Sequence, residues 1–184
     1  MTLGEGKTKV YMLLDEHSAC GVIEHDPDLE AKLNFFFDIA QKEAAKVRKI
    51  RRTRRVTPRE GERELPLPAD WMGLCRVWAE DRPLRGCRVR GERLLLPARA
   101  AGRELVLEYF AVPETITADT PDDYEFELRE DACVCLPYYV AAQQLLPDLV
   151  MDTGAMLAMY RMSLSTLSGE TGEGGASAQR LFRR

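Results

Sequence analysis

The hydrophobic pattern changes period twice along the chain. Near the start, Thr2 and Glu5 stand at capping-box spacing, and Leu3, Val10, Leu13 and Leu14 would mark the buried side of a first helix reaching about Glu16. A loop with Gly21 near its middle follows. Asp26 is a good N-cap, Pro27 fits the first turn, and Asp28 and Glu30 suit the positive end of the helix dipole. Leu29, Leu33, Phe36, Phe37, Ala40, Ala44 and Val47 then recur at spacings of three and four, which predicts one long helix with a single apolar face.

From Thr53 the period shortens. Arg54–Thr57 and Glu62–Leu67 flank Pro58 and Gly61 like the arms of a hairpin. Cys75–Trp78 and Arg93–Leu96 are short strand candidates, with turn residues Pro83, Gly86 and Gly91 between them. Glu104–Phe110 alternates polar and apolar positions, as a half-buried strand does. Helical signals return at Thr120-Pro121-Asp122-Asp123, an N-cap and first-turn set. An apolar helix from about Glu130 to Leu146 contains Pro137, which should kink or restart it. Pro147-Asp148 opens a last helix, Leu149 to about Leu167, apolar almost all round and so expected to be buried on more than one side, the second against a neighbouring subunit.

This pattern predicts an α+β chain: a helical bundle with an inserted small antiparallel β-sheet or sandwich, and an extended C-terminal arm. The segments are residues 1–52 and 116–168 for the two halves of the bundle, 53–115 for the insertion and 169–184 for the Gly-rich arm. At 184 residues, the chain can bury roughly 70% of its unfolded surface and needs no disulfide or metal staple. With 45% hydrophobic and 30% charged residues it fits the globular class. No apolar run approaches the roughly 20 residues that cross a bilayer, and no basic segment leads into an apolar one at the start, so neither a membrane span nor a secretory signal is expected. The five cysteines, an odd number, are expected as reduced thiols, with Cys133 and Cys135 as small buried hydrophobes.

Net charge is −4, but its distribution is uneven. Lys46, Arg48, Lys49, Arg51, Arg52, Arg54 and Arg55 form a basic run at the start of the β stretch. Glu114, Asp119, Asp122, Asp123, Glu125, Glu127, Glu130 and Asp131 form an acidic run after it. The basic run reads as a solvated helix end, as a surface for an acidic partner, or as a DNA contact. The acidic run caps a helix or meets the basic run of another copy; heterologous contacts of that kind can close into a ring. The arm carries Leu181 and Phe182 between Arg180, Arg183 and Arg184, and its sixteen residues could reach roughly 50 Å when extended.

Candidate chemistry is sparse. His17, His25, Cys20 and Asp26 lack any recognised metal-ligand spacing. Cys133-x-Cys135 is neither a redox nor a zinc pair, and no nucleophile elbow, phosphate loop or dinucleotide fingerprint occurs. No cofactor, metal or catalytic residue is expected.

The order of several short pieces resembles the head-to-tail connector (adaptor) proteins of tailed bacteriophages. They are Leu65-Pro66-Leu67-Pro68-Ala69-Asp70-Trp71-Met72-Gly73-Leu74, Gly102 with Val106-Leu107-Glu108-Tyr109-Phe110 and Pro113, Asp119-Thr120-Pro121-Asp122-Asp123, and Tyr138-Tyr139-Val140-Ala141-Ala142. The resemblance spans most of residues 2–167. It implies a helical bundle with a β insertion, assembled as a ring of twelve copies beneath the portal in the virion neck. Such a ring extends the DNA channel without sequence-specific contact and docks the next neck or tail component. It also implies a non-enzymatic role, with an arm (Arg180, Leu181, Phe182, Arg183, Arg184) that inserts between portal subunits. The basic run 46–55 and the acids Asp122, Asp123, Glu125 and Glu127 would then serve contacts between copies or line the channel. The competing expectation is a DNA-binding accessory or packaging protein that uses residues 46–55.

Overall fold

The computed structural model describes residues 1–14, 27–145 and 153–169. Five helices and seven strands follow in the order α1 (Leu3–Leu13), α2 (Pro27–Val47), β1 (Ile50–Val56), β2 (Glu64–Pro66), β3 (Trp71–Ala79), β4 (Arg82–Pro83), β5 (Arg88–Arg90), β6 (Arg93–Leu95), β7 (Leu105–Ala111), α3 (Glu130–Cys133), α4 (Leu136–Leu145) and α5 (Thr153–Gly169), with a short 3₁₀ turn at Ala98–Ala100. The fold is α+β, with small antiparallel sheets. Two compact units divide the chain: Met1–Arg48 together with Pro113–Arg184, and Lys49–Val112. The boundaries expected from sequence, at 52/53 and 115/116, fall later, because strand structure begins at Ile50.

In the helical unit α1 starts on a complete capping box: the Thr2 hydroxyl accepts from the Glu5 N–H, and the Glu5 carboxylate accepts from the Thr2 N–H. Its buried side is Leu3, Gly6, Lys7, Val10 and Tyr11; Leu13 and Leu14 are only half-buried. Of the α2 face expected to be apolar, Leu33, Phe37, Ala40 and Ala44 are buried, whereas Leu29, Phe36 and Val47 are partly exposed. Two polar side chains, Asn34 and Gln41, share the buried face. The proposed N-cap, Asp26, lies outside the described residues. At Pro137 the helix restarts: α3 ends at Cys133 and α4 begins at Leu136, which puts the proline in the first turn, where a missing N–H costs nothing.

Residues 113–129 differ from expectation. Thr120-Pro121-Asp122-Asp123 starts no helix, and Thr120 instead accepts the Thr117 N–H in a local turn. The segment crosses the helical unit as an irregular strap whose backbone is bonded largely from elsewhere. Gln41 Nε2 donates to the Glu114 carbonyl (2.7 Å), and Asp38 accepts the Ile116 N–H (3.0 Å). Asn34 Nδ2 reaches the carbonyls of Thr117, Ala118 and Thr120. Farther along, Leu3 and Gly4 donate to Tyr124 and Asp122, and Phe126 donates to Met1. Local caps cannot supply this many long-range partners, which is why the capping signal at Thr120 misleads.

The β unit has two antiparallel sheets, ordered β1-β7-β3-β4 and β2-β6-β5. The hairpin expected between residues 54–57 and 62–67 does not form: β1 pairs with β7, and β2 with β6. Turn chemistry at Pro58 and Gly61 reverses the chain, but the apolar residues choose different sheets. The β7 strand alternates as expected, with Leu105, Leu107, Tyr109 and Ala111 buried. Leu65, Leu94 and Leu96 meet Val77, Ala79, Leu105 and Leu107 in one core, the arrangement of a small sandwich.

Glu80 and Asp81, between β3 and β4, have φ of 50° and 60°. Both central positions of this two-residue turn are therefore left-handed, a conformation that Asn-Gly adopts with less strain. The double substitution Glu80→Asn, Asp81→Gly should stabilise by about 1 kcal/mol, which raises Tm by roughly 2–4 °C in a thermal melt of a chain this size. The strap gives a second test. Gln41→Met keeps the volume but strips the Glu114 carbonyl of its buried donor, and denaturant titration should show a loss of about 1–3 kcal/mol.

Candidate interaction surface

The basic run is divided by the fold. Lys46 closes α2 and pairs with Glu43, three residues back. Arg48 belongs to the helical unit, where its nearly buried guanidinium pairs with Asp131. Arg51, Arg52, Arg54 and Arg55 lie on β1, not on a helix end, and β1 alternation sends them to opposite faces. Arg52 turns toward Asp70 (2.5 Å), whose carboxylate also accepts the Tyr109 hydroxyl at 3.1 Å. Burial, and then that bond, push the Tyr109 hydroxyl above its usual pKa. Trp71 stacks on Tyr109, so Asp70 and Trp71 help hold β1, β3 and β7 together. Arg51, Arg54 and Arg55 remain exposed, Arg55 with a loose pair to Glu104 at 3.6 Å, and Lys49 sits over the Phe110 ring.

Strand register brings together what linear spacing does not. Arg51 and Phe110 are directly opposed, as are Thr53 and Glu108. On the other side of β7, Arg76 opposes Glu108 and Trp78 opposes Val106. The outer sheet face therefore mixes Arg51, Arg55 and Arg76 with Phe110, Val106 and Trp78, and Arg76 lies over the Trp78 ring at 5.0 Å. The basic run contains no aromatic residue; its aromatic neighbours arrive from β3 and β7.

The acids are also partly committed. Asp122 accepts a bond from Lys7 Nζ (2.8 Å), and Glu127 accepts the Glu114 N–H. Asp123 and Glu125 are exposed, and Thr2 and Glu125 form an isolated β-bridge. The arm residues Arg180, Leu181, Phe182, Arg183 and Arg184 lie outside the described residues, as do His17, Cys20 and His25. Among the described residues no group of three or more His, Cys, Asp or Glu side chains could hold a metal, and no helix is long and apolar enough to cross a membrane. Cys133 and Cys135 are buried, their sulfhydryls pointing to the Leu128 and Ala132 carbonyls; burial pushes each pKa up to about 11 and keeps them thiols.

Two features escaped the linear reading. Lys7, only 6% exposed, is held between Glu30 (2.5 Å) and Asp122 (2.8 Å), and Tyr11 also donates to Glu30. The second is the partition of charge. The β unit has 15 basic and nine acidic residues, an excess of six positive charges; the rest of the chain has 11 basic and 21 acidic residues, an excess of ten negative charges. A charge count per segment would have shown it: residues 49–55 carry five of the six excess positive charges, and residues 56–112 hold ten basic and nine acidic residues.

No protein-family model matches the sequence, and no curated protein is found similar to it.

Hydrogen bonding to Arg48 holds the Asp131 carboxyl below its ordinary pKa. A carboxylate depressed in the folded state contributes stability above its unfolded pKa and loses it as pH falls through the folded value. The wild-type chain should therefore lose stability from about pH 4 downward. Asp131→Asn should be less stable at pH 7 and show a shallower acid limb, read from melting temperatures across pH.

Proposed function

We propose that the chain is a structural head-to-tail connector: a ring of copies seated on a phage portal, which extends the DNA channel and receives the next neck or tail component. The observation that carries this reading is the division of the chain into a net acidic helical unit, built from both flanks of the sequence, and a net basic β unit let out between residues 48 and 113. Opposite charge on two units of one chain suits heterologous contact between identical copies, where the basic surface of one meets the acidic surface of the next. Lys46, Lys49, Arg51, Arg54 and Arg55 are the exposed cations of the basic run, and Glu114, Asp119, Asp122, Asp123, Glu125 and Glu130 the exposed acids of the acidic run.

Apolar exposure supports the same reading. Among the described residues of the helical unit, Met12, Phe35, Val134, Met159 and Met162 are the exposed large hydrophobic ones, and Met162 is 67% exposed. Helix α5 buries Tyr160 and Leu167 but leaves Met159 and Met162 exposed, so among the described residues only one side of it is covered. A second copy or the portal would cover the other. The resemblance assigns the arm to the portal, with Leu181 and Phe182 giving affinity by apolar burial and the arginines giving orientation. The role is structural, without a cofactor, and the place of action is the virion neck.

Co-expression with the portal of the same genome, followed by particle imaging, tests the proposal. Rings on the portal are expected, and loss of portal binding is expected for a chain ending at Ser168. A chain that stays monomeric with portal present would sink the connector reading, whereas a truncated chain that still joins would sink only the role of the arm. Reversal of Arg51 and Arg55 to Glu should weaken ring formation, and added reversal of Asp123 and Glu125 to Lys should restore it.

A further inference from the structure

Outside the run at its start the β unit is nearly balanced, with ten basic and nine acidic residues between positions 56 and 112, but its arginines are unevenly placed. The second sheet carries a separate arginine cluster on the β5–β6 hairpin. Arg88 and Arg90 are two residues apart on β5 and so share a face, about 7 Å apart at the usual strand rise. Arg90 directly opposes Arg93 on β6. Leu94, between them in the alternation, is fully buried, which places the arginines on the outward face. Arg85 lies in the loop that leads into β5, with its carbonyl held by the Arg99 guanidinium at 2.6 Å. All four arginines are exposed, and among the described residues their single ion pair is a loose one, Arg93 to Glu64 at 3.8 Å.

Like charges directly opposed across strands destabilise a hairpin. Here the opposition is retained in a small sheet whose edge strand is three residues long. Such a surface gains free energy when an anion is laid across it. The chemistry of that anion is narrowed by what the surface lacks. Protein interfaces are built around an apolar or aromatic core, whereas the outward face of the hairpin carries no aromatic residue and, opposite Arg88, only the half-buried Leu95. The cations of the hairpin are all arginine, whose planar fork matches phosphate oxygens in pairs.

We infer that the outward face of the β5–β6 hairpin binds the phosphate backbone of duplex DNA, through Arg88, Arg90 and Arg93 with Arg85 beside them. The contact is independent of base sequence, because the face presents charge and no group placed to read base edges. It is distinct from the 46–55 run and stands whether or not the chain forms a ring on a portal.

The test is fluorescence anisotropy of a short random-sequence duplex with the full chain, between about 50 and 200 mM salt. The triple variant Arg88→Gln, Arg90→Gln, Arg93→Gln should lower the slope of log K against log salt by about three units and weaken binding tenfold or more. It should melt no lower than wild type, since it removes an opposed like-charge pair and only a loose ion pair. A control of equal charge loss, Arg51→Gln, Arg54→Gln, Arg59→Gln, should change the slope by less than one unit. Arg90→Gln alone, a milder change to the fold, should lower it by about one unit. Equal losses in the triple variant and the control would overturn the inference, as would the absence of salt-dependent binding by wild type. Competition by polyglutamate as effective as by unlabelled DNA would also overturn it and point to an acidic protein.

Discussion

The helical unit depends on how residues 113–129 satisfy their backbone. After β7 the chain returns as a strap with little regular structure of its own, and a buried backbone without partners would cost several kcal/mol. Its partners come from three polar side chains on one side of α2, Asn34, Asp38 and Gln41, and from the first residues of the chain. These long-range bonds give polar residues a reason to sit at fully buried positions of an otherwise apolar helix face. The same strap brings Asp122 to Lys7 and Phe126 to Phe37, so it supplies both an ion-pair partner and part of the core.

Charge is organised on the scale of whole units. Within the helical unit, the cations that reach the interior are matched: Lys7 with Glu30 and Asp122, and Arg48 with Asp131. Such pairs offset a desolvation cost and fix geometry more than they add stability. The β unit follows a different rule. Arg52 is firmly engaged with Asp70, and Arg99 with the Arg85 carbonyl, while most of its arginines stand in water with loose partners or with none among the described residues. That contrast separates charges that hold the fold from charges left to meet something else. It is the physical basis on which the connector reading and the hairpin surface both rest.

Much of the architecture was legible from local pattern. The capping box at Thr2, the three-and-four spacing of Leu33, Phe37, Ala40 and Ala44, the alternation over Leu105–Ala111 and the restart at Pro137 all reflect interactions within one element and its buried face. The failures have one cause. Pro58 and Gly61 turn the chain, but a turn does not choose between neighbouring strands, and β1 pairs with β7 across almost the whole length of the insertion. Thr120-Pro121-Asp122-Asp123 has the residues of a helix start, but the strap's bonds to α1 and α2 outweigh that weak preference. As for the site, the cations of the basic run could be read from the sequence; the inward turn of Arg48 and Arg52, and the meeting of Arg51 and Arg76 with Phe110 and Trp78, could not.

The sequence by itself determined the α+β composition, the existence of an inserted β segment and the uneven placement of charge, because each follows from residue type and short-range periodicity. Only the tertiary structure decided which strands pair, which charges are spent on internal pairs and which face solvent. Those outcomes depend on register and on partners far away in the chain. A one-residue change of register moves every side chain of a strand to the other face, so the opposition of Arg90 to Arg93, and the surface that it creates, exists only once β5 and β6 have paired.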